Sequence, residues 1–98
     1  MPTIKLIADS GSTKTECCLL IGNIKDIIIT QGMSPYFLDA GQVEQIIRTE
    51  VFPHLKKNNI DEIYFYGTGC KNPDNIKMFQ KVFKNIFAHT KVFIDKDL

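Results

Sequence analysis

The sequence predicts an α/β fold in which one mixed five-strand sheet packs with two helices. Three apolar, strand-like runs follow one another in the first third of the chain. Two later stretches repeat apolar residues at helical spacing, and each is followed by another strand-like run. The 98 residues, 44% of them hydrophobic, suffice for one core. We therefore expect a single domain over residues 1–98 with the order β-β-β-α-β-α-β.

Charge and cysteine content limit the class of protein. The formal net charge is +1 and the charged residues are spread along the chain, so nothing points to nucleic acid or an anionic membrane as a partner. The sequence has no basic leader with a long apolar core and no segment of bilayer-spanning length. Three cysteines without zinc-site spacing are typical of thiols in a reducing compartment. We expect a cytoplasmic protein.

The first three strands should form an antiparallel meander over Ile4–Gln31. The runs "TIKLIAD", "TECCLLIG" and "KDIIITQG" are rich in strand-forming residues. Gly22 and Asn23 between the second and third runs are a tight-turn signal. The polar stretch at 9–14 then lies in a hairpin between the first two strands, and not at the start of a helix.

A first helix is predicted over 40–57. Its apolar residues recur at helical spacing, and Asp39 can cap its first turn. Pro53 falls late in this stretch, so we expect the helix to end or kink near Phe52.

A second helix is predicted over 73–89, with Asn72 as cap and Pro73 in the first turn. The runs "DEIYFYGTG" before it and "KVFID" after it read as strands. Helical crossovers join parallel strands, so the fourth and fifth strands should run parallel to the first.

The stretch "ADSGSTKTE", Ala8 to Glu16, contains the candidate site. An aspartate that ends a strand lies here beside backbone N–H groups and hydroxyls that can converge on phosphate oxygens. Asp9 is suited to hold Mg²⁺ through water, and Gly11 allows the backbone to approach closely. The donors and positive charge for the phosphates would come from Ser12, Thr13 and Lys14.

The alternative is a turn with no ligand, because the same residue types turn and cap backbone by themselves. The P-loop string G-x-x-x-x-G-K-[ST] and the dinucleotide string G-x-G-x-x-G are both absent from the sequence. The residues alone therefore leave a triphosphate site and a plain turn open.

Three stretches carry a resemblance to a known family. "IADSGSTKTECCLL" resembles the first phosphate motif, D-x-G-x-T, of the actin-like ATPase superfamily of sugar kinases, heat-shock ATPases and actin. "ADSGSTKTE", "GMSPYF" and "YGTGC", in that order, are most similar to the N-acetylglucosamine kinase-like branch of the BadF/BadG ATPase family. The resemblance covers nearly the whole chain and implies the ribonuclease-H-like half of an actin-like ATPase.

The resemblance implies an ATP-dependent kinase acting on N-acetylglucosamine or a related amino sugar, with ATP and Mg²⁺ as cofactors. By this analogy Asp9 serves the metal and Gly11, Ser12, Thr13 and Lys14 line the phosphates. The sugar side would be formed by Ser34, Tyr36, Gly67, Thr68 and Gly69. The chain would be the N-terminal ATPase-like half of a longer two-domain clamp, inactive without its C-terminal half. The sheet face or edge left bare by the missing half should carry apolar surface, and the isolated chain should therefore self-associate.

Two departures from the family pattern leave the sugar and the catalytic base unassigned. Ser34 stands where relatives often carry a sugar-binding Asn, and Cys70 and Lys71 stand where amino-sugar kinases carry a catalytic aspartate. Two alternatives remain open. One is the ATPase activator of a CoA-ester dehydratase, and the other is a binding or scaffolding domain that keeps the fold without turnover.

Overall fold

The computed structural model describes residues 3–55 and 59–96. It confirms the predicted α/β class, with a mixed five-strand sheet and two α-helices in the predicted order. The elements are β1 (Ile4–Ser10), β2 (Lys14–Ile21), β3 (Ile24–Gln31), α1 (Ala40–Ile46), β4 (Glu62–Gly67), α2 (Pro73–Ile86) and β5 (Lys91–Asp95). Within these ranges no helix is long and apolar enough to cross a membrane.

The sheet has the strand order β3-β2-β1-β4-β5, which places β1 at its centre. Strands β1, β2 and β3 pair antiparallel, as predicted for a meander. The β1–β4 and β4–β5 pairs are parallel, as predicted for strands joined through helices. Gly22 has φ of +59°, a left-handed conformation that glycine adopts without strain, and it closes the β2–β3 hairpin.

The first helix differs from the predicted 40–57. Regular α-helix ends at Ile46, a π-helical segment covers Ile47–Val51, and a 3₁₀ turn covers Phe52–Leu55. The Phe52 N–H donates to the Ile47 carbonyl five residues earlier, and Pro53 has no N–H with which to continue the α-helical ladder. The disruption near Phe52 is therefore confirmed, but it spreads over two turns. Residues 56 and 57 lie outside the described ranges.

The second helix begins as predicted and ends three residues early. The Asn72 side chain accepts a hydrogen bond of 2.8 Å from the Asp74 N–H, and Pro73 occupies the first turn. The helix ends at Ile86, and Phe87 adopts φ of −125° and ψ of 75°. Phe87 is buried in this non-helical conformation, so its packing ends the helix before the predicted boundary at 89.

The hydrophobic core lies on one face of the sheet. Alternate strand residues such as Leu6, Ile63 and Phe65 point to this face, where they meet Val43 of α1 and Phe79 of α2 in one buried cluster. The rings of Phe65 and Phe79 pack with centroids 4.5 Å apart. The opposite face, called here the open face, has no described helix over it.

Candidate functional site

Three connecting segments meet at one end of the sheet. They are the β1–β2 hairpin tip at 11–13, the loop at 32–39 after β3, and the turn at 68–72 after β4. Because β1 and β4 are parallel, their carboxyl ends lie at the same edge, and the antiparallel meander brings the end of β3 there too. The stretches singled out in the sequence therefore lie side by side.

Ser10 links all three segments. Its hydroxyl hydrogen-bonds the Thr15 hydroxyl at 2.8 Å across the hairpin and accepts the Met33 N–H at 3.1 Å from the loop. Its carbonyl accepts the Thr68 N–H at 3.0 Å from the turn. Ser10 is only 1% exposed, so these bonds are made away from water. Sequence reasoning assigned Ser10 no role, although it occupies the first of the two variable positions of the D-x-G-x-T motif.

The hairpin tip touches the loop through backbone. A Cβ atom on Gly32 would overlap the carbonyl oxygens of Gly11 and Ser12, so only glycine fits there without movement of one strand end. The Gly11 N–H donates to the Lys14 carbonyl at 2.9 Å and closes the hairpin. Thus the hairpin predicted at 9–14 is confirmed, and the Gly11 amide is used within it.

A solvent-open cavity of about 260 Å³ lies beside the hairpin tip. Its lining includes Ser12 and Thr13 of the hairpin tip and Gly32, Ser34 and Phe37 of the loop. Both hairpin residues are exposed, and their backbone N–H groups have no hydrogen-bond acceptor within the ranges that the structure describes. The cavity is therefore lined by two exposed residues whose amides and hydroxyls are available as hydrogen-bond donors.

Asp9 lies on the open face directly opposite Glu16 in the β1–β2 register. Both are exposed, and neither forms an ion pair with another residue of the described ranges. Facing carboxylates repel each other, and a cation between them would relieve that repulsion. Lys14 is exposed two residues before Glu16 on the same strand. Glu16 could have been found from the sequence, because positions 9 and 16 are symmetric about the hairpin centre.

The side chains near the hairpin can be compared with the ligands that Mg²⁺ takes in proteins. Among residues 3–55 and 59–96 no three His, Cys, Asp or Glu side chains come together as a metal site. Mg²⁺ in phosphate sites is commonly held by only one or two carboxylates, with waters and phosphate oxygens completing the octahedron. The Asp9–Glu16 pair fits that kind of site.

The loop residues assigned to the sugar differ in exposure. Ser34 is 2% exposed, its hydroxyl accepts the Tyr36 N–H at 3.3 Å, and its carbonyl accepts the Phe37 N–H at 3.1 Å. It thus shapes the loop. Tyr36 and Phe37 are 70% and 75% exposed and present their rings to solvent.

The turn after β4 packs against this loop. Gly69 has φ of +83°, and a Cβ there would contact the Pro35 ring at 2.8 Å, so both conformation and space require glycine. The Asn75 side-chain amide donates to the Gly69 carbonyl at 3.0 Å and fixes the turn on α2. Gly67 is buried and Thr68 is half-buried at the end of β4. Cys70, which follows Gly69, is 2% exposed and faces the core.

The structure therefore brings the predicted phosphate residues and the predicted sugar-side residues to one end of the sheet, with the Asp9 carboxylate on the adjoining open face. No protein-family model matches the chain, and no curated protein is significantly similar to it. The fold and the site define an α/β domain in which a polar hairpin tip, a loop and a turn meet at one end of a mixed five-strand sheet.

Proposed function

We propose that this chain is the phosphate-binding half of an ATP-dependent sugar kinase. The observation that supports this most is the hairpin: Ser12 and Thr13 at its tip line a cavity, and Asp9 and Glu16 face each other on the two strands that lead into it. Anion donors beside a carboxylate pair suit a phosphate that arrives with a divalent cation.

Each hairpin residue has a role in this proposal. Asp9, with Glu16 opposite, would hold Mg²⁺ through its waters, and the chemistry that the ion would supply is neutralisation of phosphate charge. The amides and hydroxyls of Ser12 and Thr13 hold phosphate oxygens, and Lys14 adds positive charge. Gly32 lets the loop lie against the hairpin carbonyls, which keeps this backbone in place. Gly11 closes the hairpin through its N–H bond to the Lys14 carbonyl.

The sugar would bind on the side of the loop and turn. Tyr36 and Thr68 supply hydroxyls, and Gly69 lets the Tyr36 ring lie close over the turn. An amino sugar is proposed as the substrate because "GMSPYF" and "YGTGC" resemble the N-acetylglucosamine kinase-like branch. Phosphoryl transfer requires positioning and charge from several directions, so turnover needs the second half of the clamp.

A binding domain without turnover is the second candidate, and one observation favours it. The position after Gly69 holds Cys70, which is buried, so no carboxylate faces the cavity from the turn at that point. Such a domain would bind a magnesium–phosphate group through the same hairpin and lack the base for transfer.

The test of the proposal is Mg²⁺-dependent binding of ADP to the 98-residue chain, followed by amide chemical shifts. Binding should be weak and should move the Ser12, Thr13 and Thr68 resonances. Asp9→Asn, nearly the same shape without the charge, should weaken binding by about tenfold or more while the spectrum stays folded. Asp26→Asn is the matched control, because Asp26 is exposed on the edge strand β3 away from the hairpin.

The proposal would be contradicted if ADP caused the same amide chemical-shift changes with and without Mg²⁺. It would also be contradicted if the Asp9→Asn chain bound ADP as tightly as the wild type. In the two-domain enzyme, Asp9→Asn should lower phosphorylation of N-acetylglucosamine on the order of a hundredfold. ATP hydrolysis that needs no sugar would favour the dehydratase-activator alternative. ADP binding without any turnover would favour the binding domain.

A further inference from the structure

The open face carries three rows of side chains that cross all five strands in register. The middle row consists of Ile27, Cys18, Ile7, Tyr64 and Phe93. The acidic row lies two residues closer to the β1–β2 hairpin tip on each strand and consists of Ile29, Glu16, Asp9, Tyr66 and Asp95. The basic row lies two residues farther from that tip than the middle row and consists of Lys25, Leu20, Lys5, Glu62 and Lys91.

The middle row is an apolar band left in contact with water. Ile27 is 57% exposed and Phe93 is 47% exposed, at opposite ends of the row. Between them Tyr64 stacks on Phe93 with ring centroids 4.9 Å apart. A contiguous apolar band bounded by charged rows is a feature of protein interfaces.

The two outer rows have opposite charge. The acidic row has three carboxylates and no basic side chain. The basic row has three lysines and a single carboxylate, Glu62, which pairs with Lys5 at 3.7 Å. The face is therefore negative on one side of its apolar band and positive on the other.

This charge pattern is complementary to itself. If a second copy is turned by 180° about an axis along the middle row, the strand order is kept and the strand direction reverses. Each middle row then faces the other, and each acidic row faces a basic row, with Asp95 over Lys91 and Tyr66 over Glu62 of the second copy. A two-fold axis along the strands would instead place like charges together.

We propose that the open face docks a second copy of this chain, forming a two-fold dimer of face-to-face sheets. Two sheets packed this way lie about 10 Å apart with nearly aligned strands. The proposal stands on the row pattern and does not depend on nucleotide binding. Asp9 belongs to the acidic row, so the dimer and a magnesium–phosphate group would compete for its carboxylate.

The proposed arrangement is tested by reversing the charge of Lys91 or of Asp95 on β5. The dimer dissociation constant of each variant is measured by sedimentation equilibrium without nucleotide or Mg²⁺. Lys91→Asp and Asp95→Lys each create like-charge contacts at both β5 positions of the dimer, and each should weaken dimerisation by at least about tenfold. A mixture of the two variants should dimerise again, because the two aspartates on β5 of the Lys91→Asp chain then face the two lysines on β5 of the Asp95→Lys chain. Both residues are exposed, so the variants should remain folded.

Two further measurements make the test specific. Lys81→Asp changes an exposed lysine on α2, behind the sheet, and should leave dimerisation unchanged. Cys18 lies on the proposed axis and is half-buried, whereas Cys17 and Cys70 are buried. A bismaleimide with a spacer of about 10 Å should therefore link Cys18 to Cys18 of the second copy, and Cys18→Ser should abolish the link.

Three results would overturn the proposal. One is a monomer at every concentration, which would leave the open face to a different protein or to another segment of a longer chain. Another is a dimer that Lys91→Asp and Asp95→Lys do not affect. The last is a mixture of these two variants that associates no better than either variant alone.

Discussion

Two adjacent cysteines in β2 lie in opposite environments. Cys17 is 1% exposed on the helix-covered face, and Cys18 is half-buried on the open face. Burial raises the pKa of the Cys17 thiol from 9.0 to about 12, and the neighbouring charges of Cys18 and Glu16 add to that rise. The thiolate is the reactive form of cysteine, so Cys17 should resist alkylation while Cys18 reacts.

The raised pKa of Cys17 predicts a loss of stability in alkali. Between pH 9.0 and about 12 the unfolded chain releases this proton while the folded chain keeps it. The contribution is complete below pH 9.0 and falls as pH rises, by up to about 1.4 kcal/mol per pH unit. Urea unfolding at a series of pH values should show that Cys17→Ala removes this part of the slope.

The matched control is Cys18→Ala, one residue away on the other face of the same strand. In the Cys18→Ala variant, the free energy of unfolding should still fall with pH above 9.0, with most of the wild-type slope. If both variants show the wild-type slope, other groups cause the alkaline instability and the burial of Cys17 has no linked effect.

The loop after β3 and the first turn of α1 contain two glycines with different surroundings. Gly32 is buried against the carbonyls of Gly11 and Ser12, where added atoms have no space. Gly41 is exposed, and a Cβ there would meet only an Asp39 oxygen at ordinary contact distance, 3.5 Å. The same substitution should therefore have opposite effects at these two positions.

Gly32→Ala should lower the free energy of unfolding by about 1–3 kcal/mol, because the methyl group forces the loop away from the hairpin tip. Gly41→Ala should raise it by about 0.5–1 kcal/mol, because alanine loses less backbone entropy than glycine in a helix. Urea denaturation midpoints of the two variants check both signs. Equal effects at the two positions would show that the contact between hairpin and loop is loose.

Sequence patterns predicted elements better than their ends. Runs of strand-forming residues and the turn residues between them predicted the five strands and the hairpins, because these signals lie within short stretches of sequence. The division of the first helical stretch into α, π and 3₁₀ parts was missed, although Pro53 indicated a disruption. The early end of α2 depends on where Phe87 packs, which is a tertiary contact that the local pattern does not contain.

The resemblance to a known family grouped the hairpin, the loop and the turn, and the structure brings these three segments to one end of the sheet. Their roles in binding stay predictions, and the bonds that join them were not predicted. The Ser10 bonds to Met33 and Thr68 join residues far apart in the chain, and no local pattern reports them. Burial of Ser34 and Cys70 was likewise outside the reach of spacing arguments.

At the scale of the whole molecule, the central strand should be the most stable part of the sheet. β1 pairs with β2 on one side and β4 on the other, and it carries the buried Leu6 and Ala8. The edge strand β3 has exposed isoleucines, with Ile24 at 62%. Amide hydrogen exchange in the folded chain should therefore be slowest in β1 and fastest among the outward-facing amides of β3 and β5.

Exchange rates measured residue by residue by NMR check this order. The amide of Leu6 is a suitable reporter for the centre and that of Ile27 for the edge, since both lie within strands. Equal protection of all five strands would mean that the sheet opens only by global unfolding, without local opening at its edges.

The central position of β1 has a consequence for chains that are still being made. Its antiparallel partner follows directly in the chain, but its parallel partner β4 begins only at Glu62, after β3 has ended at Gln31. At roughly 5–20 residues per second, a ribosome takes a few seconds to synthesise the intervening segment. Throughout that delay one edge of β1 has no partner, and α2, which contributes Phe79, Val82 and Phe83 to the core of the finished domain, has not been made. The length of this delay therefore determines how long a nascent chain can pair wrongly with its neighbour on the same message.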